Sequence, residues 1–256
     1  MKELITMWKN TRMIVLTAVI AAIYAAVLIP FKIFTIIPGY TEIRPAAVIP
    51  IVCSLMFGPA AAFGASFGNL IGDFFGTLGL GSLFGLIGNF LYGYIPYKVF
   101  RKGILEPDFR KGRFLLITLI ASLVCGVTIG YGLDILGLLP FAAFTNIVIL
   151  NNFILSAILG PLLLIPLYPR VKRWGFLYQE IMEEGKLSCS RFHTIGILLL
   201  VIGIIYGFVV GNIISFGIHK SPLLTKTIGD MFGKHTGLGL EMLPAMILII
   251  IGTSLL

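Results

Sequence analysis

From Arg44 to Lys102 the chain is almost wholly apolar, with Asp73 as its single acid and one Gly-Pro break at Gly58-Pro59. The number of times this stretch crosses a membrane sets the architecture of everything around it. Apolar runs here reach the roughly 17–25 residues needed to cross a bilayer core. The chain is 58% hydrophobic and 12% charged, with a mean hydropathy of +1.02. Soluble domains carry about 25% charge. The expected fold class is therefore all-α, a polytopic membrane helix bundle.

Pro59 cannot continue a helix through the preceding turn, but it suits the first turn of a new one. Three short helices are expected: Pro45–Phe57, Pro59 to about Phe75, and Ser82–Val99. Two long helices are the alternative, and charge decides against it. With a cytoplasmic N-terminus, two spans would place the basic loop of Lys98, Arg101, Lys102, Arg110, Lys111 and Arg113 outside, whereas three keep it inside.

The remaining spans follow. The basic start, Lys2, Lys9 and Arg12 with Trp8 at the interface, leads into Met13–Phe31, a retained first helix and not a cleaved signal. Lys32–Arg44 forms an outer loop. Phe114–Leu133, Pro140–Leu167, His193–Gly217 and Glu241–Leu256 complete eight helices, with a linker at 174–192 that holds a short amphipathic helix (Trp174, Leu177, Tyr178, Ile181). On this map 14 of the 19 Lys and Arg lie inside and both termini are cytoplasmic. The net charge of +8 thus reflects cytoplasmic loops, and no nucleic-acid partner is expected.

Several chemistries are absent from the sequence. It has no G-x-x-x-x-G-K-[ST] phosphate loop, no H-E-x-x-H and no G-x-S-x-G elbow. Glu183-Glu184 with Arg191 reads as a solvated charge cluster. His193, His219 and His235 lack ligand spacing, and Cys53, Cys125 and Cys189 read as unpaired packing residues. No catalytic residue, metal site or cofactor is expected.

Polar groups at membrane depth remain: Asn69, Asp73, Asn89, Asn146, Asn151 and Asn152. Such groups face a cavity or a neighbouring helix, and either reading is open for each asparagine. Adjacent Asn151 and Asn152 cannot face the same way. Asp73 needs a charge partner or a ligand, and Arg44 stands at the end of a neighbouring helix. Asn69 and Asp73, four apart, share a face. Gly64, Gly68 and Gly72 form a close-packing face, and Ala18, Ala22 and Ala26 form a smooth stripe open to a partner or to this chain's own helices.

Taken together, Arg44-Pro45, Leu55-Met56-Phe57-Gly58-Pro59 and the glycine-rich helix ending Gly72-Asp73 resemble the substrate-binding (S) components of energy-coupling factor (ECF) vitamin transporters. The resemblance covers residues 1–173, a six-helix unit, and leaves 193–256 as an additional C-terminal helix pair. It implies capture of a water-soluble vitamin or related micronutrient from outside a prokaryotic plasma membrane. A transmembrane T component and two ATPase subunits would supply the energy. The alanine stripe Ala18, Ala22 and Ala26 is similar to the one by which that family docks its T component. Carried onto this chain, the pocket would draw on Tyr40, Glu42, Arg44, Asn69, Asp73, Asn89, Tyr92, Tyr131 and Asn146. A self-sufficient secondary transporter is the alternative, and it would usually carry an internal repeat; none is evident.

Overall fold

The computed structural model describes residues 2–99, 111–182, 192–216 and 238–256. Cys189, His219, His235, the Glu183-Glu184-Arg191 cluster and most of the last expected outer loop lie outside them. Helices dominate the described residues. In chain order they are α1 (Lys2–Thr6), α2 (Thr11–Phe31), α3 (Val48–Phe57, led in by a 3-10 turn at Pro45–Ala47), α4 (Pro59–Asp73) and α5 (Gly81–Val99). There follow α6 (Lys111–Ile135), α7 (Phe141–Arg173), α8 (Tyr178–Ile181), α9 (His193–Ser215) and α10 (Leu243–Leu255). Four segments are long and apolar enough to cross a membrane on length and composition: Thr11–Ile33, Gly112–Ile135, Phe141–Ile181 and His193–Ser215. The protein is a multi-pass membrane helix bundle.

Local chemistry sets the ends of these helices. Asn10 caps α2, its side-chain oxygen accepting from the Arg12 and Met13 amides at 3.0 and 3.4 Å. Gly58 separates α3 from α4 with φ +53°, a conformation that side chains rarely adopt. A Cβ there would also fall 2.7 Å from the Tyr178 ring of α8. Asp134, at the end of α6, accepts from the Phe141 amide at 2.9 Å and so caps the first turn of α7. The segment joining α2 to α3 is more ordered than a plain outer loop: β1 (Thr35–Ile37) and β2 (Thr41–Glu42) pair as a small antiparallel hairpin.

Packing among the helices relies on small residues. Gly64, Gly68 and Gly72 lay α4 against α2, where added Cβ atoms would meet Ile20, then the Ala21 carbonyl and Tyr24, then Leu28. This is the close-packing face that their four-residue spacing predicts. Ser54 stitches α3 to α5, donating to the Gly93 carbonyl at 2.5 Å and accepting from the Tyr97 amide at 3.1 Å. Gly196, Gly203 and Gly252 bring α9 and α10 into backbone contact. Cys53 and Cys125 are free thiols.

The end of the bundle away from the hairpin carries a fully buried cation. Lys98, in the last turn of α5, pairs with the buried Glu3 of α1. It also donates to the Leu256 carbonyl at 3.0 Å. Its ammonium lies 5.5 and 5.9 Å from the Tyr94 and Tyr97 ring centres. The basic-loop pattern treats Lys98 as a flanking charge, but the structure makes it the knot joining α1, α5 and the last residue of the chain.

Candidate substrate-binding site

A cavity of about 340 Å³ opens at the hairpin end of the bundle, between the ends of α4 and α6 and the start of α5. Its volume falls in the range of small-molecule sites, about 300–1,000 Å³. One wall is polar and the other apolar.

The polar wall is a row of connected side chains. Arg44, buried just before the 3-10 turn, donates from Nη2 to the Asn69 side-chain oxygen. Asn69 Nδ2 donates to Asp73 Oδ2 at 3.2 Å, one helical turn along α4. Asp73 Oδ1 accepts from the Thr77 hydroxyl at 2.9 Å. Arg44, Asn69, Asp73 and Thr77 all line the cavity, with Tyr40 from the hairpin turn and Ser82 from α5. Glu42 stands behind Arg44, with Oε1 3.1 Å from Nε. Lys32, at the end of α2, donates to Thr77 at 2.5 Å and lies 3.6 Å from Glu42 and 3.8 Å from Asp73. The formal charges of Arg44, Lys32, Glu42 and Asp73 cancel.

Facing this row are Ile129 and Leu133 of α6, Leu138 of the following turn and Phe144 of α7. Gly85 of α5 forms part of the floor. A Cβ there would lie 3.1 Å from Asn69 Nδ2 and 3.7 Å from Asp73 Oδ2, inside the space that the polar row faces. The site combines an apolar wall with a short, charge-balanced polar edge. That combination suits a small molecule with a polar edge and an apolar face. Among the described residues no cluster of His, Cys, Asp or Glu is placed to hold a metal.

Of the candidate residues, Tyr40, Arg44, Asn69 and Asp73 reach the cavity and Glu42 supports it from behind. Asn89 lies one turn deeper than Gly85 on the same face of α5. It accepts from the Tyr24 hydroxyl at 3.0 Å and donates to the Gly85 carbonyl at 2.8 Å. Tyr92 is deeper still, its hydroxyl 2.8 Å from that of Ser156. Tyr131 and Asn146 are turned away for the same reason. Two residues along a helix is about 200°, so each faces opposite to a wall residue, Ile129 and Leu133 on α6 or Phe144 on α7. Tyr131 is buried on α6, and Asn146 donates to Asn212 of α9 at 2.6 Å. Asn151 and Asn152 do diverge. Asn151 holds the backbone of Glu42 and Arg44 at 2.7 and 3.2 Å, while Asn152 points inward to Cys125 at 3.6 Å. Lys32 and Thr77 were not among the candidates. A lone outer-loop lysine opposite the lone acid of the apolar stretch is the signal that could have found Lys32.

Ala18, Ala22 and Ala26 are all exposed on α2, while Ala21 and Ala25 beside them are buried. The stripe therefore lies on the outer surface of the bundle.

A mostly helical membrane bundle with a charge-balanced cavity at its hairpin end fits a substrate-binding membrane subunit. The chain belongs to the QueT transporter family, whose model matches residues 14–169. That match takes in α2 to α7 almost completely and ends before α8, α9 and α10. No curated protein and no solved structure matches the chain significantly.

Proposed function

We propose that this protein is the S component of an ECF-type importer. It captures a queuosine precursor, a small modified purine-type base, at the hairpin end. It delivers the base inward when docked on a T component driven by two ATPase subunits. The observation that carries this reading is the row Arg44–Asn69–Asp73 facing Ile129, Leu133 and Phe144, a polar edge opposite an apolar face. Residues 1–173 form the substrate-binding unit, 174–192 the linker and 193–256 an added helix pair. The basic loops support a reading in which both termini lie in the cytoplasm of a prokaryotic cell and the cavity opens outside. The exposed alanine stripe on α2 supplies the smooth face that a T component's helices would need to approach closely.

Binding and partnership are tested separately. The purified full chain in lipid nanodiscs is titrated calorimetrically with 7-deazaguanine, the plain base of this class. A saturable 1:1 isotherm supports the substrate assignment, and no heat at millimolar base removes it. Tagged protein drawn from native membranes in mild detergent should bring one membrane partner and two ATPases. Recovery of this chain alone would remove the ECF coupling and leave the binding function standing.

A further inference from the structure

The polar capacity still open in the cavity has a definite pattern. Thr77 donates to Asp73 and accepts from Lys32. Ser82 accepts from the Gly79 amide at 3.3 Å and donates to the Thr77 carbonyl at 3.4 Å. Asn69 accepts from Arg44 and donates to Asp73. Each of these three side chains is already engaged as both donor and acceptor within the protein. A carboxylate, however, has about four acceptor positions and a guanidinium five N–H donors. The bonds at Asp73 come from Asn69 and Thr77, one on each oxygen, so acceptor positions remain on both. Arg44 gives one bond to Asn69 and sets Nε beside Glu42, and its fork retains further N–H groups. The cavity therefore offers a ligand acceptors at Asp73 and donors at Arg44, with Asn69 as the spacer that fixes their separation.

That arrangement is the complement of a planar edge reading acceptor, donor, donor. A guanine-type base carries this edge as its 6-carbonyl, N1–H and 2-amino group. A hypoxanthine-type base lacks the last donor. Gly85 has no side chain to cover the Asp73 end of the row, so a ring edge can approach it.

We propose that Asp73 and Arg44 are the specificity-determining pair of the site. Asp73 accepts the N1–H and 2-amino hydrogens of a guanine-type base, and Arg44 donates to its 6-carbonyl. This rests on the reading of the cavity as the substrate site. Lys32 and Glu42 do not touch the base; they balance the charges of the two residues that do. Discrimination comes from leaving a buried acceptor unpaired when the 2-amino group is missing, which costs far more than losing a contact with water.

The test compares 7-deazaguanine with 7-deazahypoxanthine on the full chain in nanodiscs. Wild type should bind the 2-amino base at least tenfold more tightly. Asp73→Asn presents an amide to the N1–H and 2-amino donors, so its preference should fall to within about threefold. Its fold is checked by size-exclusion profile and thermal unfolding. Equal binding of the two bases by wild type overturns the proposal without needing any variant. So does a folded Asp73→Asn that keeps the tenfold preference, and either result leaves the substrate site itself standing. Failure of wild type to bind either base overturns the site reading together with the proposal.

Discussion

Asn146 and Asn212 meet across α7 and α9, the amide of one donating to the carbonyl of the other at 2.6 Å. Asn146 lies inside the stretch matched by the QueT family and Asn212 outside it, so this bond ties α9 to the part of the bundle that the family match covers. It is reinforced by the Ala142 amide, which donates to the Ser215 hydroxyl at 3.0 Å, and by Gly211, which lies against the Phe141 ring. Asn146→Ala should therefore lower the thermal stability of the chain by about 0.6 kcal/mol, the average for one such bond in a membrane bundle. Affinity for 7-deazaguanine should stay within about twofold. Thermal unfolding and calorimetry on one preparation check both, and a tenfold loss of affinity would return Asn146 to the site.

Arg44 combines a charge with a directional fork, and two substitutions separate these roles. Arg44→Lys keeps a cation near Glu42 but gives up the fork that reaches Asn69. It should fold and should bind 7-deazaguanine at least tenfold more weakly. Arg44→Ala leaves Glu42, which is 2% exposed, without that cation. Stability should fall, though by less than the roughly 3–5 kcal/mol of a buried charge left uncompensated, because Lys32 stays 3.6 Å from Glu42. Fluorescence-monitored unfolding of the two variants side by side distinguishes the effects.

Gly85 should show stability and binding moving in opposite directions. Alanine is better than glycine inside a helix by about 1 kcal/mol. The new methyl would stand 3.1 Å from Asn69 Nδ2 and 3.7 Å from Asp73 Oδ2, in space that the ligand needs. Gly85→Ala is expected to keep or raise the melting temperature while weakening base binding several-fold. Unchanged binding would show that the ligand does not reach the floor between α4 and α5.

Much of this architecture is legible in the sequence because single residues force it. Gly58-Pro59 has to interrupt a helix, and it does so at that position with positive φ. Four-residue glycine spacing marks the α2–α4 contact, and Asn69 and Asp73 share a helix face and a hydrogen bond. The direction in which a polar side chain points is not legible. Asn69 and Asn146 are both asparagines in apolar helices, and only the positions of neighbouring helices decide that one meets Arg44 and the other Asn212. Lys98 is hidden for a related reason. At the end of α5, next to a basic loop, it has the pattern of an exposed flank. Its burial depends on Glu3 and Leu256, which are distant in the chain.

Ala22 is exposed in the middle of the α2 stripe, so a larger side chain there points away from the other described residues. Ala22→Leu should leave both the melting temperature and base affinity unchanged. In native membranes it should reduce recovery of the membrane partner and ATPases by tenfold or more, because the smooth face is lost. Full recovery with the variant would place docking on another face of the bundle.

The Glu3–Lys98 pair should make stability depend on pH in a defined direction. Burial alone would raise the Glu3 carboxyl, but the hydrogen bond and charge of Lys98 outweigh it and hold the carboxyl below its ordinary value. A folded-state value below the unfolded one means that the carboxylate's contribution is complete above the ordinary carboxylate range near pH 4.5. It is lost as pH falls through the lowered value. Melting temperature should therefore be flat with respect to this group from pH 7 to 5 and decline below that. Glu3→Gln should melt lower than wild type at pH 7, since it leaves Lys98 buried without that carboxylate, and the gap should narrow as wild type is taken toward pH 4. A constant gap across that range would mean that Glu3 contributes by packing and not by charge.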